Sequence, residues 1–344
     1  MIGSYNKNIK PYSIVSNNKL LLTSTRRLSI FGIIFFFSGA SGLIYQVTWA
    51  RQLQLIFGST IFATSAILTT FMAGLALGSY LLGRIVDRLG RPLRIYAVLE
   101  CGIAIFALLS PFFLDLLKAI YILIYRNLSV NFYSLTVIRF ILSFVVLLIP
   151  TTLMGGTLPV VSKFVVDQIQ KRGRRVGLFY ALNTFGAMIG TIATGFFLIR
   201  YFGVVETIIF SAFINLLLAV LSFWLDLRWE FSNESIITAI SDLQESVANE
   251  PVKTEGISKL NHKLLPVLPP AGLLAFGISG FCALSYEVLW TRILVFFLGS
   301  TTYAFSTMLA AFLFGIGLGS LVFAWLSDQT SSKDDFQSNL SLFS

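Results

Sequence analysis

The chain has 344 residues, of which 56% are hydrophobic and only 12% are charged, and its formal net charge is +9. A soluble domain is about one quarter charged, and the mean hydropathy of +0.82 is that of a chain embedded in lipid. The composition therefore excludes an ordinary soluble protein. The excess of Lys and Arg is attributed to cytoplasmic loops rather than to nucleic-acid binding.

Apolar windows of about 20 residues predict an all-α, polytopic transmembrane helix bundle with eight spans. A polar, basic segment 1–29 precedes them as a cytoplasmic tail, and the first apolar run is too long for a cleaved signal. A polar linker occupies 227–268, and a polar tail that we expect to be disordered occupies 329–344. The predicted spans are Ile30–Ala50, Ile61–Gly83, Ile95–Leu114, Phe132–Leu153, Val176–Ile199, Val204–Leu225, Ala271–Trp290 and Tyr303–Leu326.

Basic residues set the predicted orientation. With the N-terminus on the cytoplasmic side, 19 of the 25 Lys and Arg residues fall in cytoplasmic segments. This bias agrees with the positive-inside rule, and an even number of spans returns the C-terminus to the same side. The sequence therefore predicts a multi-pass protein of the inner (plasma) membrane with both termini, the linker and the tail in the cytoplasm.

The chain repeats itself at an offset of 241 residues. Residues 38–79 align without a gap on residues 279–320, and 19 of the 42 aligned positions are identical. So long a period indicates a duplicated multi-helix unit rather than a solenoid. We expect a first six-helix unit over 30–226 and a partial second unit of two helices over 269–328.

The segment 83–92, Gly-Arg-Ile-Val-Asp-Arg-Leu-Gly-Arg-Pro, lies between the second and third spans. It resembles the G-x-x-x-D-R-x-G-R-[RK] motif of major facilitator transporters, and only Pro92 departs from it. The resemblance implies a facilitator-like fold and a gating-type role, in which breakable ion pairs form at the cytoplasmic surface. The alternative is a basic loop whose only effect is to set the orientation of the chain in the membrane. The motif residues are Gly83, Asp87, Arg88, Gly90 and Arg91.

A second resemblance rests on 38–51, Ser-Gly-Ala-Ser-Gly-Leu-Ile-Tyr-Gln-Val-Thr-Trp-Ala-Arg, together with 57–60, 71–79 and 91–94. These segments are similar to the membrane region of bacterial proteins that fuse a facilitator-like region to a spermidine-synthase-like domain. The resemblance implies polyamine metabolism. We expect no synthase domain within residues 1–344, because the glycine-rich runs lie in apolar spans and indicate helix packing rather than a nucleotide loop.

Polar and ionisable groups inside the spans are the candidate substrate or ion path, since such groups are costly in lipid. A cationic solute needs a carboxylate, which Glu287 and Glu100 supply, and Gln46 holds the place in the first span that Glu287 holds in the seventh. For Glu287, an internal ion pair with an arginine is an equal alternative. The full set is Glu287, Gln46, Glu100, Arg139, Arg51 and Arg292. For the last two, snorkelling to the outer interface is the simpler interpretation.

The aromatic residues Tyr45, Trp49, Tyr286 and Trp290 fit packing or an interface belt better than a cation cage. We predict no catalytic residue, metal or cofactor for this chain. The expected partners are the lipid bilayer, a polyamine or other small cation, and a soluble synthase or a second copy of the chain, but not nucleic acid.

Three functions remain open from sequence. The first is a transport-type or channelling membrane domain associated with polyamine metabolism. The second is the membrane anchor of a spermidine synthase whose catalytic domain is separate or missing. The third is a non-transporting scaffold or degenerate product. Rocking transport needs two complete units, so we expect residues 1–344 alone not to transport, and a natural truncation, a fragment and a frameshift product all stay open.

Overall fold

The computed structural model describes the backbone of residues 12–89, 91–127, 131–168, 172–247 and 270–341, and the side chains of 27–86, 88–89, 91–127, 131–165, 176–229, 272 and 274–326. Every element in these ranges is helical. In chain order they are α1 (Tyr12–Phe57), α2 (Ile61–Arg88), α3 (Pro92–Asn127), α4 (Phe132–Gln168), α5 (Arg172–Ile192), a π-helical turn (Ala193–Leu198), α6 (Ile199–Phe202), α7 (Val204–Val247), α8 (Pro270–Leu298) and α9 (Thr301–Ser341).

Within the described ranges, eight helical segments are long and apolar enough to cross a membrane, which confirms the predicted all-α bundle of eight spans. The π-helical turn and α6 extend α5 into a single span. Several spans are longer than their predicted windows, since α3 continues past Leu114 to Asn127 and α4 continues past Leu153. Pro111 lies inside α3, and Pro150 and Pro159 lie inside α4. In lipid, neighbouring helices can satisfy the backbone groups that a proline frees, so these residues do not end the helices.

Two polar segments are more helical than the sequence predicts. Helix α7 runs on to Val247, through the first half of the expected linker, and α9 runs to Ser341, where we expected a disordered tail. Neither segment contains a proline or glycine before those residues that would stop the helix. Polarity marks where a chain leaves the membrane, but it does not mark where a helix ends.

The two tight turns between α1 and α2 and between α8 and α9 have the same construction. Gly58 and Gly299, which are 241 residues apart, both adopt a positive φ, of 85° and 66°. Glycine takes up this left-handed conformation without a steric penalty. Thr60 then caps α2, because its side chain accepts a hydrogen bond from the backbone N–H of Ala63 at 3.2 Å. The identical Gly-Ser-Thr sequence therefore gives a glycine with positive φ at both turns, although α9 begins at Thr301, one position earlier in the repeat than α2 does.

Glycines bring several helices into direct backbone contact. A Cβ at Gly78 of α2 would lie 1.9 Å from the carbonyl oxygen of Thr152 in α4, and a Cβ at Gly190 of α5 would lie 2.3 Å from that of Ala40 in α1. These contacts confirm the predicted small-residue packing faces in α2 and α5. In the run 315–319 of α9, a Cβ at Gly317 would lie 3.1 Å from the ring of Phe185 in α5, whereas a Cβ at Gly315 or Gly319 would meet no described atom within 4 Å.

The core consists of two apolar clusters. The first cluster contains Phe31, Phe35 and Tyr96 and lies toward the N-terminal end of α1. The second cluster contains Tyr45 and Trp49, farther along the same helix. On each of three helices, buried polar residues lie between the positions that belong to the two clusters. They are Ser38 and Ser41 on α1, Glu100 on α3 and Asn215 on α7. Along these three helices, a polar layer therefore separates the two apolar clusters.

Helix α8 packs mainly on α9, whereas α1 contacts α3, α5 and α7. The difference decides the burial of two aromatic pairs. Tyr45 and Trp49 are 0% and 1% exposed, but Tyr286 and Trp290, their counterparts 241 residues on, are 61% and 54% exposed. Trp49 also donates from Nε1 to Ser110 Oγ of α3 at 3.0 Å. The first pair is therefore packing, as predicted, and the second lies on an open face of α8.

Candidate functional site: a central polar cavity

A cavity of about 310 Å³ lies where α1, α2, α3, α4, α5 and α7 face α8 and α9. This volume is at the small end of the range for ligand pockets. No Lys or Arg lies among its lining residues, which include one carboxylate, Glu287. Its other polar lining residues are uncharged: Ser38, Gln46, Thr157, Tyr180, Asn183, Thr184 and Asn215.

Glu287 projects from α8 and is only 2% exposed. Its Oε1 atom is buried and has no hydrogen-bond partner. Among the described side chains, no arginine or lysine lies within 4.0 Å of the carboxylate, so the alternative of an internal ion pair is not found. A buried carboxylate without a partner is unstable as an anion. Glu287 is therefore either protonated or neutralised by a cation that the described side chains around it do not supply.

The structure brings Gln46 to the same cavity as Glu287. Gln46 is buried on α1, and its Nε2 atom has no hydrogen-bond partner. Asn215 of α7 also lines the cavity with a buried, unpartnered Oδ1 atom. Three polar side chains from three helices are thus held at one cavity with unused hydrogen-bonding capacity. This arrangement is expected of a ligand site and is costly in a purely structural core.

The second candidate carboxylate, Glu100 of α3, is fully buried but does not line the cavity. Ser38 of α1 connects the two places. Its hydroxyl donates to Glu100 Oε1 at 2.5 Å, and the same residue lines the cavity wall. The sequence reasoning missed both Ser38 and Asn215. Polar side chains at helical spacing, such as Ser211, Asn215 and Ser222 on α7, were the available signal for a buried polar face.

The three predicted arginines lie outside the cavity lining. Arg139 of α4 is buried, and its Nε and Nη2 atoms donate to Tyr121 Oη of α3, each at 3.1 Å. These two hydrogen bonds therefore join α3 to α4. Arg51 and Arg292 are half-buried on α1 and α8. The structure thus brings together Gln46 and Glu287 from the candidate set, connects Glu100 to them through Ser38, and leaves the arginines apart.

The predicted gating motif lies at the end of α2, where Gly83 packs against Pro159 of α4. Lys163 of α4 donates from Nζ to the backbone carbonyl of Val86 at 2.5 Å, so a positive charge stabilises the C-terminus of α2. Gly90 and the side chain of Asp87 lie outside the described residues. Gly83 and Val86 of this motif therefore join α2 to α4.

Neighbouring contacts at the same end of the bundle join α3 and α4 to α7. Arg94 donates from Nε to Asp226 Oδ2 at 3.0 Å. The ring of Phe164 stacks on Trp229 with centroids 5.7 Å apart, and Arg27 lies 5.3 Å from the Trp229 ring. These contacts hold the ends of the helices together.

Glu287 also borders a second opening, of about 370 Å³, between α8 and α9. Its other lining residues include Tyr286, Trp290 and Phe312, so the wall is almost entirely apolar. The carboxylate therefore lies at the boundary between the polar cavity and a groove at the open face of α8.

The sequence model of the Major Facilitator Superfamily matches residues 28–338 of the chain. No curated protein and no solved structure is significantly similar to it. The match includes every residue that lines the cavity, and the described ranges form the helical membrane bundle expected of such a protein. The chain is therefore an integral membrane protein of the transporter type, and it belongs to the Major Facilitator Superfamily.

Proposed function

We propose that the central cavity binds a small organic cation of the polyamine class and that the chain serves as a transport-type membrane domain for it. The observation that carries the proposal is Glu287, a buried carboxylate that has no positive partner among the described side chains, in a cavity of about 310 Å³. An ammonium group would supply the missing charge and would donate to the free carboxylate oxygen. Charge-assisted hydrogen bonds of this kind are among the stronger polar contacts in proteins.

The remainder of the cavity suits an amine with a methylene chain. Asn215 offers an unpartnered carbonyl oxygen as a further acceptor for N–H groups. Phe71, Met72 and Leu313 supply apolar surface for methylene groups. The absence of Lys and Arg from the lining disfavours an anionic solute. The resemblance of residues 38–51 to polyamine-synthase fusions supports spermidine as the first ligand to try.

The proposal also includes the division into units and the orientation that the sequence predicts. Residues 30–226 would form one unit and 269–328 part of another, with the cavity between them and the termini in the cytoplasm. In facilitator-like proteins a substrate site near the bilayer midplane becomes exposed to each side in turn as the two units rock. Binding is the part of this cycle that the cavity residues support directly, so the test concerns binding.

The test measures equilibrium binding of radiolabelled spermidine to the purified full chain in detergent. Glu287→Gln keeps the shape of the side chain and removes its charge, and we expect affinity to fall about thirtyfold, for a net loss of about 2 kcal/mol. Glu206→Gln is the matched control, because Glu206 is exposed at the first turn of α7. Unlabelled putrescine should compete, and a neutral polyol of similar length should not.

Equal spermidine affinity in the wild type and Glu287→Gln would refute the proposal. If the wild type does not bind spermidine but binds a monocationic amine in a Glu287-dependent way, the cation site is kept and the polyamine is rejected. Absence of any amine binding would leave a scaffold or an anchor as the better interpretation.

A further inference from the structure

Arg139 of α4 is a buried positive charge that lies outside the cavity and that the proposed amine site does not use. Its side chain is only 8% exposed, and its two hydrogen bonds go to the neutral hydroxyl of Tyr121 on α3. Within the described part of the chain, no carboxylate lies within 4.0 Å of the guanidinium. An arginine stays charged in a protein, and a buried charge is costly without an opposite charge. Arg139 therefore has a neutral partner where a negative charge is expected.

The contact between Arg139 and Tyr121 leaves hydrogen-bond donors unused. Tyr121 Oη accepts from both Nε and Nη2 of Arg139, so the hydrogen of the same hydroxyl must point in another direction. No described group accepts a hydrogen bond from this hydroxyl or from Nη1 of Arg139. The pair therefore presents two kinds of donor, a guanidinium N–H and a phenol O–H, without an acceptor.

Ser143 supplies a further donor one turn along α4. It occupies the i+4 position, which shares a helix face with Arg139. Ser143 is 0% exposed, and its Oγ atom is buried without a hydrogen-bond partner. Thr151 and Thr157 of the same helix donate instead to carbonyl oxygens of the preceding turn, as buried hydroxyl groups in helices commonly do. The Ser143 hydroxyl is therefore free to bind something other than its own helix.

A set of donors that includes a fixed positive charge and no carboxylate suits an anion. The geometry points to a binding site for one small monovalent anion, of which chloride is the commonest, at Arg139 between α3 and α4. Arg139 brings one positive charge, so a single negative charge balances it. Tyr121 belongs to the apolar cluster that contains Phe57 and Leu117. Such surroundings favour a halide over a doubly charged anion such as sulfate, which would stay uncompensated there.

The inference does not rest on the proposed amine site, and its test contains no amine. The purified full chain in detergent is studied in sodium chloride and in sodium gluconate of equal ionic strength, since gluconate is a much larger monovalent anion. Equilibrium binding of radioactive chloride and the melting midpoint are measured. A ligand that binds only the folded chain raises the midpoint, so the two measurements report the same site independently.

Two variants alter the site, and each has a matched control. Arg139→Met removes the buried charge, and its control is Arg126→Met, at an exposed position in the last turn of α3. Ser143→Ala removes the free hydroxyl. Its control is Ser222→Ala on α7, where the hydroxyl is likewise fully buried and without a partner.

We expect the wild type and both controls to bind chloride and to melt at a higher temperature in chloride than in gluconate. Arg139→Met should do neither, and Ser143→Ala should bind chloride about tenfold more weakly, because it loses one hydrogen bond to a charged group. Bromide should displace the radioactive chloride, and sulfate should not. The inference is wrong if the wild type binds no chloride, if Arg139→Met keeps the full chloride response, or if sulfate displaces chloride as well as bromide does.

Ser143→Ala keeps the inference testable if Arg139→Met does not fold. Its hydroxyl has no partner in the described structure, so its removal should leave the midpoint in gluconate unchanged while chloride affinity falls. If Ser143→Ala binds chloride as tightly as the wild type and Ser222→Ala do, the donors around Arg139 do not form an anion site and the inference is overturned.

Discussion

Moving the carboxylate from α8 to α1 tests whether the cavity recognises its ligand by charge. Glu287 and Gln46 line the same cavity, and a sphere of 310 Å³ is about 8 Å across. An ammonium group near its centre would lie about 4 Å from either side chain, where its attraction to a carboxylate is about 4 kcal/mol at an effective dielectric constant of about 20. Desolvation offsets part of this energy, which leaves about 2 kcal/mol, or about thirtyfold in affinity.

We therefore expect the double variant Gln46→Glu with Glu287→Gln to recover most of the thirtyfold loss of spermidine affinity that Glu287→Gln causes by itself. The assay is equilibrium binding of radiolabelled spermidine to the purified full chain. The control combines Gln52→Glu with Glu287→Gln, which restores the same net charge at a partly buried position of α1 outside the cavity. A relocated carboxylate at Gln46 that binds no better than this control would refute the electrostatic reasoning.

Two further predictions concern the bundle. Gly78→Ala should lower the melting midpoint of the purified chain, because its Cβ would lie 1.9 Å from the Thr152 carbonyl oxygen and would force α2 from α4, at a cost of about 1–3 kcal/mol. Gly319→Ala, at the position 241 residues on, meets no described atom and should not lower the midpoint, because alanine favours a helix more than glycine does; equal effects would contradict the packing account. For the Arg94–Asp226 ion pair, whose side chains are 36% and 11% exposed, a double-mutant cycle on melting should give a coupling of about 1 kcal/mol or less, and a much larger coupling would show that solvent does not screen the pair.

The helices of this protein are readable from sequence because lipid imposes a local rule. Each span must satisfy its own backbone and present apolar side chains, so the windows from residue 30 to residue 326 predict eight helices, and the structure contains them. The turns at Gly58 and Gly299 are equally local, since a glycine with positive φ lies at the start of each. The same local rule misplaces the ends of α7 and α9, because helices continue past the membrane where nothing stops them.

The candidate site was only partly predictable. The cost of charge in lipid singles out Glu287 and Glu100 from sequence. Their different surroundings do not follow from it, since Glu287 borders a cavity and Glu100 is enclosed with Ser38. The same cost also drew attention to Arg139, which the structure shows bonded to Tyr121 between α3 and α4. A sequence gives the charge of a side chain, but the neighbours across the bundle decide whether that charge is satisfied.

The residues paired at the 241-residue offset show which features the sequence determines by itself and which it does not. Gly58 and Gly299 both adopt a positive φ because that conformation depends on a few consecutive positions. Tyr45 and Tyr286 are also identical, yet one is buried and the other exposed, because burial depends on which helices pack alongside. Sequence alone determined a membrane bundle of eight helices with a few costly polar groups. Only the tertiary structure decided which of those groups face one another across a cavity, because such contacts join helices that are far apart in the chain.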